Sequence, residues 1–369
     1  MTPLEAATHA DPYAYYASLR LADELPFNSD SGVWIASRAR TVEAVLAHPA
    51  CCVRPAHEPV PPGIADGAAG QVFARLMRMN EGASHRCPRA AIEPALAAVE
   101  MPRIREVVGQ LIGPMNELNT LMFTLPVSVI AFVLGVPEQH LETVARLTRD
   151  FVACLSPLSD ESQLCKADTG AERLGQVFSG VLEQSDLLAH IRRGTWNDPR
   201  VLSANLIGLL SQTCEASAGL IGNTLVLLAR RPDLVDRIVH TPALATALVE
   251  EVARYDSPVQ NTRRFVAERC TIGSRVLEKG DIVLVLLASA NRDPEANPDP
   301  DSVLLERPQR RIFSFGSGIH QCPGQRIAST IAAQTLLALV HRQPTVLARA
   351  SQFRYWPSLN GRIPRFCSD

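Results

Sequence analysis

Apolar residues recur at intervals of three and four through most of residues 71–228, with turn signals near Gly82, Pro137, Pro157 and Asn197. That periodicity marks one buried face of a helix, so the stretch reads as a succession of amphipathic helices. The last and longest is expected over about 201–230, ending before Arg231-Pro232, because the residue before a proline avoids helical backbone. Thr241-Pro242 supplies a cap residue followed by proline in the first turn, which predicts a helix running to about Tyr255. Another is expected over 325–339. The turn Lys279-Gly280-Asp281 precedes an apolar run, 282–288, that reads as a strand. Residues 33–35 and 272–277 are shorter strand candidates, and 54–70, rich in proline and glycine, reads as a long loop. The pattern predicts a mainly α chain with a small β portion. No repeat or linker interrupts it, so one domain is expected over residues 1–369.

Composition narrows the function. The chain has 369 residues, 46% of them hydrophobic, enough for a large core, and a net charge of -2. A near-neutral chain offers no basic field for nucleic acid or an anionic membrane surface. The nine cysteines, at 51, 52, 87, 154, 165, 214, 270, 322 and 367, are odd in number and contain no C-x-x-C pair. Neither a disulfide framework nor a structural zinc site is expected; thiols in a reducing cytosol fit better. The first twenty residues, MTPLEAATHADPYAYYASLR, lack a basic segment followed by an apolar one, so no signal peptide is expected. The apolar segment 121–136 is broken by Pro126, and 206–228 carries Gln212, Glu215 and Asn223; neither suits a bilayer. A cytoplasmic monomer without membrane or nucleic-acid partners is the expectation.

Candidate chemistry concentrates in residues 313–328, FSFGSGIHQCPGQRIA. Cys322 stands just before the helix expected over 325–339. A thiol there meets the positive end of the helix dipole and unbonded backbone N–H groups, and both favour the thiolate. Gly316, Gly318 and Gly324 permit tight turns around it. An anionic sulfur ligand needs such a setting; Phe315 is placed to cover it and His320 to reach a carboxylate. Taken alone, the loop also fits a buried structural cysteine.

The spacing F-x-x-G-x-H-x-C-x-G, at Phe315, Gly318, His320, Cys322 and Gly324, resembles the haem-binding signature of the cytochrome P450 family. Glu251-Val-Ala-Arg254 resembles that family's E-x-x-R pair, which on a helix shares one face. Its downstream partner in the family corresponds to Arg307. His85 and Arg89 resemble an H-x-x-x-R motif at a helix start, and Arg264 resembles a further arginine that binds haem carboxylates. Ala290-Asn-Arg-Asp-Pro294 repeats a phrase common in bacterial members, and the likeness extends from DPYAYYASLR to WPSLNGRIP. The resemblance implies the cytochrome P450 fold, a triangular helical prism with a small β region. It implies haem b (iron protoporphyrin IX) between the long helix and the cysteine loop, with Cys322 as the axial iron ligand. His85, Arg89, Arg264 and His320 are the implied propionate partners; Glu251, Arg254 and Arg307 are the implied structural set. A thiolate pushes electron density toward O–O cleavage.

The implied activity is a monooxygenase oxidising a small, hydrophobic or natural-product-like substrate with dioxygen. No G-x-G-x-x-G motif for a nicotinamide or flavin is present, so electrons are expected from a separate ferredoxin- or flavodoxin-type donor. The chain departs from the family pattern in the long helix. Aligned on AGLIGN, Thr213 stands where the family has glycine and Ala216 where it has the threonine that organises proton delivery; the acid, Glu215, is kept. Leu209, Thr213, Ala216 and Leu220 share one helix face, whereas Ser217 is rotated away. Three outcomes are compatible with the departure: Thr213 or a substrate hydroxyl replaces the missing group; the enzyme is a peroxygenase that uses peroxide; or it catalyses oxidative coupling or desaturation. Ordinary hydroxylation with water alone is also open. A reading of another class is a non-catalytic haem-binding sensor or carrier.

Overall fold

Runs of β-branched and aromatic residues at Val33–Ala36 and Ile282–Val285 form strands, as their preference for a pleated, buried surface requires. The structure, a computed structural model, describes residues 1–22, 24–113, 117–181, 191, 198–342 and 345–367; the turn expected near Asn197 lies outside them. Nine strands are described: β1 (Phe27–Asn28), β2 (Val33–Ala36), β3 (Cys51–Cys52), β4 (Thr262–Val266), β5 (Cys270–Ile272), β6 (Arg275–Leu277), β7 (Ile282–Val285), β8 (Phe353–Tyr355) and β9 (Pro364–Phe366). Helices account for most of the rest, so the fold is mainly α. The chain forms two compact units. One comprises Met1–Pro55, Ala218–Gln325 and Ala332–Asp369, and the other Ala56–Ser217 and Arg326–Ile331.

The first unit holds every strand. Its main sheet has the order β1-β2-β7-β4-β3; β2 runs parallel to β7, and the other pairings are antiparallel. Alternation along β2 and β7 divides the side chains between two cores. Ala36, Val283 and Val285 pack with Val42, Val45 and Leu46 of helix Ala39–Ala47, whereas Ile35 and Leu284 pack with Tyr16 and Ala6. The strand expected over 282–288 stops at Val285, and Leu287–Asn291 turns into a short helix. Residues 272–277 are not one strand but the end of a hairpin. Gly273, at φ 56°, sits in the two-residue turn between β5 and β6, where positive φ favours glycine. The helix expected from Pro242 begins later, at Leu244; the Leu244 N–H donates to Thr241 O, leaving 242–243 as a turn.

The two ends of the chain meet in this unit. Tyr13 Oη donates to Asp256 Oδ1 (2.6 Å), as does Arg362 Nε (2.7 Å), while Arg362 Nη2 donates to Ala10 O (3.1 Å). The resembling phrases at the N- and C-terminal ends therefore converge on one carboxylate.

The second unit is helical. Leu141–Val152 buries Leu141, Val144, Ala145, Leu147, Thr148, Phe151 and Val152 on one face, the predicted periodicity. The helix Leu118–Val133 accommodates Pro126, and its first turn is capped by Glu117, which accepts from Asn119 N (3.1 Å) and Thr120 N (2.7 Å). Within 54–70, expected as loop, Pro62–Ile64 forms a 3-10 turn and a helix begins at Ala68. The Ala69 N–H donates to Asp168 (2.9 Å), a distant carboxylate that fixes this helix start. Pro199–Arg230, the longest helix, carries residues of both units. Among the described residues, no helix is long and apolar enough to cross a membrane.

A buried ion network lies in the first unit. Glu251 and Arg254 are fully buried and paired (2.8 Å), and Arg307 Nε reaches the same carboxylate at 3.1 Å. Arg310 Nε adds a third guanidinium at 2.9 Å, and the Leu304 N–H donates at 3.0 Å. The outer nitrogens are satisfied by carbonyls: Arg254 donates to Asn291 O, Pro300 O and Ser302 O, and Arg307 to Pro298 O, Asp299 O and Ser302 O. A buried charge is tolerable only when so matched. Burial opposes ionisation of Glu251, but the hydrogen bonds from Arg254, Leu304 N–H and Arg307 outweigh it and hold the carboxyl below its ordinary range.

Glu251→Ala is expected to cost about 3–5 kcal/mol in chemical denaturation, since it strands buried guanidiniums; a cost under about 1 kcal/mol would contradict the arrangement. The lowered folded pKa makes this contribution complete above the unfolded carboxylate's pKa. It is lost as pH falls through the folded value, so the gap between parent and variant should close in acid.

Candidate active site

Cys322 lies half-buried on a loop built by two 3-10 turns, Phe313–Phe315 and Gly318–His320, three residues before helix Gln325–Arg342. The Cys322 N–H donates back to Phe315 O (2.8 Å), closing the loop on itself. Gly316 (φ 72°) and Gly318 (φ 70°) occupy left-handed backbone, which only glycine adopts at little cost. A Cβ on Gly318 would stand 3.3 Å from Leu46 O, so the loop also approaches helix Ala39–Ala47 closely. Gly324 lies beside the sulfur: a Cβ there would stand 3.9 Å from Cys322 Sγ. Phe315 and His320 are half-buried in the same loop. A single thiol at a helix start, with glycine beside it, suits a thiolate ligand to a bulky group.

What fixes the loop from behind was not named from the sequence. Asn291 is fully buried, and its Nδ2 donates to Ser257 Oγ (2.6 Å), Ser314 Oγ (2.8 Å) and Ala253 O (3.3 Å). Its Oδ1 accepts from Phe313 N (2.6 Å), the residue that starts the loop. Asn297 continues the frame, donating to Asn291 O (3.1 Å) and Arg311 O (3.0 Å). Arg292 Nε donates to Tyr255 O (2.8 Å), and Asp293 accepts from the Ala39 N–H (2.8 Å). The phrase Ala290-Asn-Arg-Asp-Pro294 is thus a hub: one side chain for the cysteine loop, one for the end of helix Leu244–Tyr255, one for the start of helix Ala39–Ala47. Arg310, a further guanidinium on Glu251, was also missed, because nothing local in sequence marks it.

The remaining candidates divide between the units. Arg264 is buried on β4 of the first unit, with its Nη1 donating to Arg263 O (2.8 Å). In the second unit His85 and Arg89 lie on helix Gly82–Ala98 at i and i+4, His85 buried and Arg89 half-buried. Arg89 is engaged by Glu93 through two hydrogen bonds (2.9 and 3.2 Å).

On the long helix, Thr213 Oγ1 donates to Leu209 O (2.8 Å), so its proton is held by the preceding turn and its lone pairs remain. Ala216 is half-buried and Ser217 buried. Glu215 is accessible to solvent, yet enough protein surrounds it that desolvation raises its pKa, against the pull of Arg78 and Arg149. The neighbouring Cys214 is buried, which pushes its thiol up to about 12.

A family model described as cytochrome P450 matches residues 209–343. The chain is 30% identical over 355 residues to the cytochrome P450 monooxygenase PikC of Streptomyces venezuelae, covering 91% of this chain and 84% of that one. It is 28% identical over 352 residues to the beta-dihydromenaquinone-9 omega-hydroxylase of Mycobacterium tuberculosis, covering 88% and 69%. Among solved structures, P450BioI in complex with an acyl carrier protein ligated to hexadec-9Z-enoic acid superposes with a TM-score of 0.83 at 24% identity, covering 96% of each chain.

Asn291→Ala removes the link between Phe313 and the Ser257–Ala253 turn. It is expected to lower stability by about 1–3 kcal/mol in denaturant unfolding, because buried partners are left unsatisfied. An effect indistinguishable from zero would show that the loop is held by other means.

Proposed function

The chain belongs to the cytochrome P450 family, and from that premise we propose that it hydroxylates a small, hydrophobic or natural-product-like molecule, using dioxygen and two electrons from a ferredoxin- or flavodoxin-type donor. It is an oxidoreductase of the monooxygenase type, with the haem iron that the family implies. The form proposed is haem b. The observation that carries the reading is the Cys322 loop: one thiol just before a helix start, with two left-handed glycines shaping the turn ahead of it. When bound, the haem supplies activation of dioxygen.

The chain's own residues have four tasks. Cys322 presents its sulfur from a loop whose backbone is closed by the Phe315 carbonyl, so the thiolate is positioned before it is needed. Arg264, His320, His85 and Arg89 are proposed to hold the haem carboxylates; Arg89 does so by exchanging or sharing its bonds to Glu93. Glu215, whose carboxyl keeps its proton to higher pH than an ordinary glutamate, is proposed as the proton donor. Thr213, with its hydroxyl proton tied to Leu209 O, acts as an acceptor that orients water. Ser217 is proposed as a minor contributor, and Ala216 offers no hydroxyl. The protein is proposed to act in the cytoplasm as a monomer.

One observation favours a second reading, peroxygenase or coupling and desaturating chemistry. The position where the family has threonine carries alanine, and the nearest hydroxyl on that face is engaged within the helix. Turnover of a panel of fatty-acid, sterol and macrolide probes separates the two. The first reading expects product with dioxygen, a surrogate ferredoxin and its reductase, and a kcat lowered about 100-fold in Glu215→Gln. Product from hydrogen peroxide alone, with no dioxygen-driven turnover and no effect of Glu215→Gln, would replace it with the second.

A further inference from the structure

Apart from the residues proposed to bind haem, His48, Cys51 and Cys270 place one ring nitrogen and two sulfurs within 4.8 Å of one another in the first unit. Backbone pairing, not chance side-chain rotation, creates this juxtaposition. His48 occupies the C-cap of helix Ala39–Ala47, and the Cys51 N–H returns to its carbonyl (3.0 Å). Cys51 opens β3, which pairs with β4 in the register Cys51↔Val266, and the Ala267 N–H donates to Ala50 O (2.8 Å). The chain leaving β4 is thereby led past β3, so that Cys270, the first residue of β5, arrives beside Cys51. In sequence His48-Pro49-Ala50-Cys51 has the two-residue spacer of a metal-binding hook, but its third member lies more than two hundred residues away.

We propose that His48, Cys51 and Cys270 bind one thiophilic divalent ion of the d10 type, zinc being the biological representative, with the fourth position left to water. Two sulfurs and an imidazole are the soft and borderline donors that select such ions over magnesium or calcium. Two thiolates balance the charge of the ion. Zn–S and Zn–N lengths of about 2.3 and 2.0 Å set tetrahedral ligand atoms roughly 3.5–3.8 Å apart. Loading therefore draws the three side chains together by up to about 1 Å, within the reach of rotamer adjustment.

Two features tune the site. The Ala50 N–H donates to His48 Nδ1 at 3.2 Å. A metal on Nδ1 takes that lone pair, and a metal on Nε2 moves the ring proton to Nδ1, so loading exchanges this bond either way. The affinity is correspondingly moderated, and the Ala50 amide reports occupancy. Cys51 is buried on the strand edge, so a thiolate there gains its charge partner from the ion itself. Occupancy pins the β5–β6 hairpin and the β3 edge beside β4, the strand that carries Arg264.

The test is titration of the full, haem-loaded chain, freed of metal by a chelator, with Zn²⁺ and then Cd²⁺ in competition with a chromogenic chelator. One tight equivalent is expected, accompanied for Cd²⁺ by ultraviolet thiolate charge-transfer absorption and by faster exchange of the Ala50 amide. Cys270→Ser should abolish the equivalent, and His48→Asn should weaken it at least about tenfold. Cys165→Ser, an exposed thiol elsewhere, should leave it intact. The visible haem spectrum should not change during the titration, which separates this site from Cys322. No saturable equivalent in the parent, or the same equivalent in Cys270→Ser, would overturn the proposal. So would a Cys51–Cys270 disulfide that forms with peroxide while no metal is taken up.

Discussion

A single buried carboxylate organises the part of the molecule that matters most for function. Glu251 draws three guanidiniums and one backbone N–H to itself, and those arginines then bind the carbonyls of residues 291–305. This stretch has little regular secondary structure, so it cannot satisfy its own backbone groups through helix or sheet. The arginine forks do so instead. The network is best understood as a means of giving an irregular segment one conformation, since a buried ion pair adds little net stability over apolar packing. Because that segment leads directly into Phe313 and the cysteine loop, fixing it fixes the loop.

The same logic explains what could be read from the residues and what could not. Glu251 and Arg254 are one helical turn apart, so their pairing follows from local geometry. Cys322, its glycines and the following helix are also contiguous, and their conformation is imposed by positive φ and a helix start. Asn291 and Arg310 work across sequence gaps of 22 to 59 residues, and no local pattern encodes that reach. The strand expected over 282–288 was too long because Leu286 and Leu287 are as apolar as the strand itself, and burial in a short helix satisfies them equally well. The hairpin within 270–277 hid behind Gly273-Ser274, a two-residue turn in a stretch too short to show two separate strand patterns. No metal site was expected from the cysteine spacing, because the sheet alone brings Cys270 beside His48 and Cys51.

For function, the division falls between class and reaction. Family membership identifies the chemistry of the bound group, and the cysteine loop is where that group is proposed to be held. The long helix decides what the group is used for, and here the chain carries Thr213 and Ala216 in place of a glycine and a threonine. The structure shows the Thr213 proton committed to Leu209 O and leaves Glu215 as the titratable group of that segment with a raised pKa and solvent access. On the proposed reading, proton supply would rest on that carboxyl, and a substrate hydroxyl or peroxide chemistry would have room to matter.

The central claim is the bond from the Cys322 sulfur to haem iron. The most direct measurement is the carbon monoxide difference spectrum of the reduced protein, parent against Cys322→Ser. The account predicts the red-shifted Soret band that a thiolate ligand confers in the parent, and its disappearance in the serine variant. The same band at full intensity in Cys322→Ser, or a parent protein that binds no haem, would contradict it.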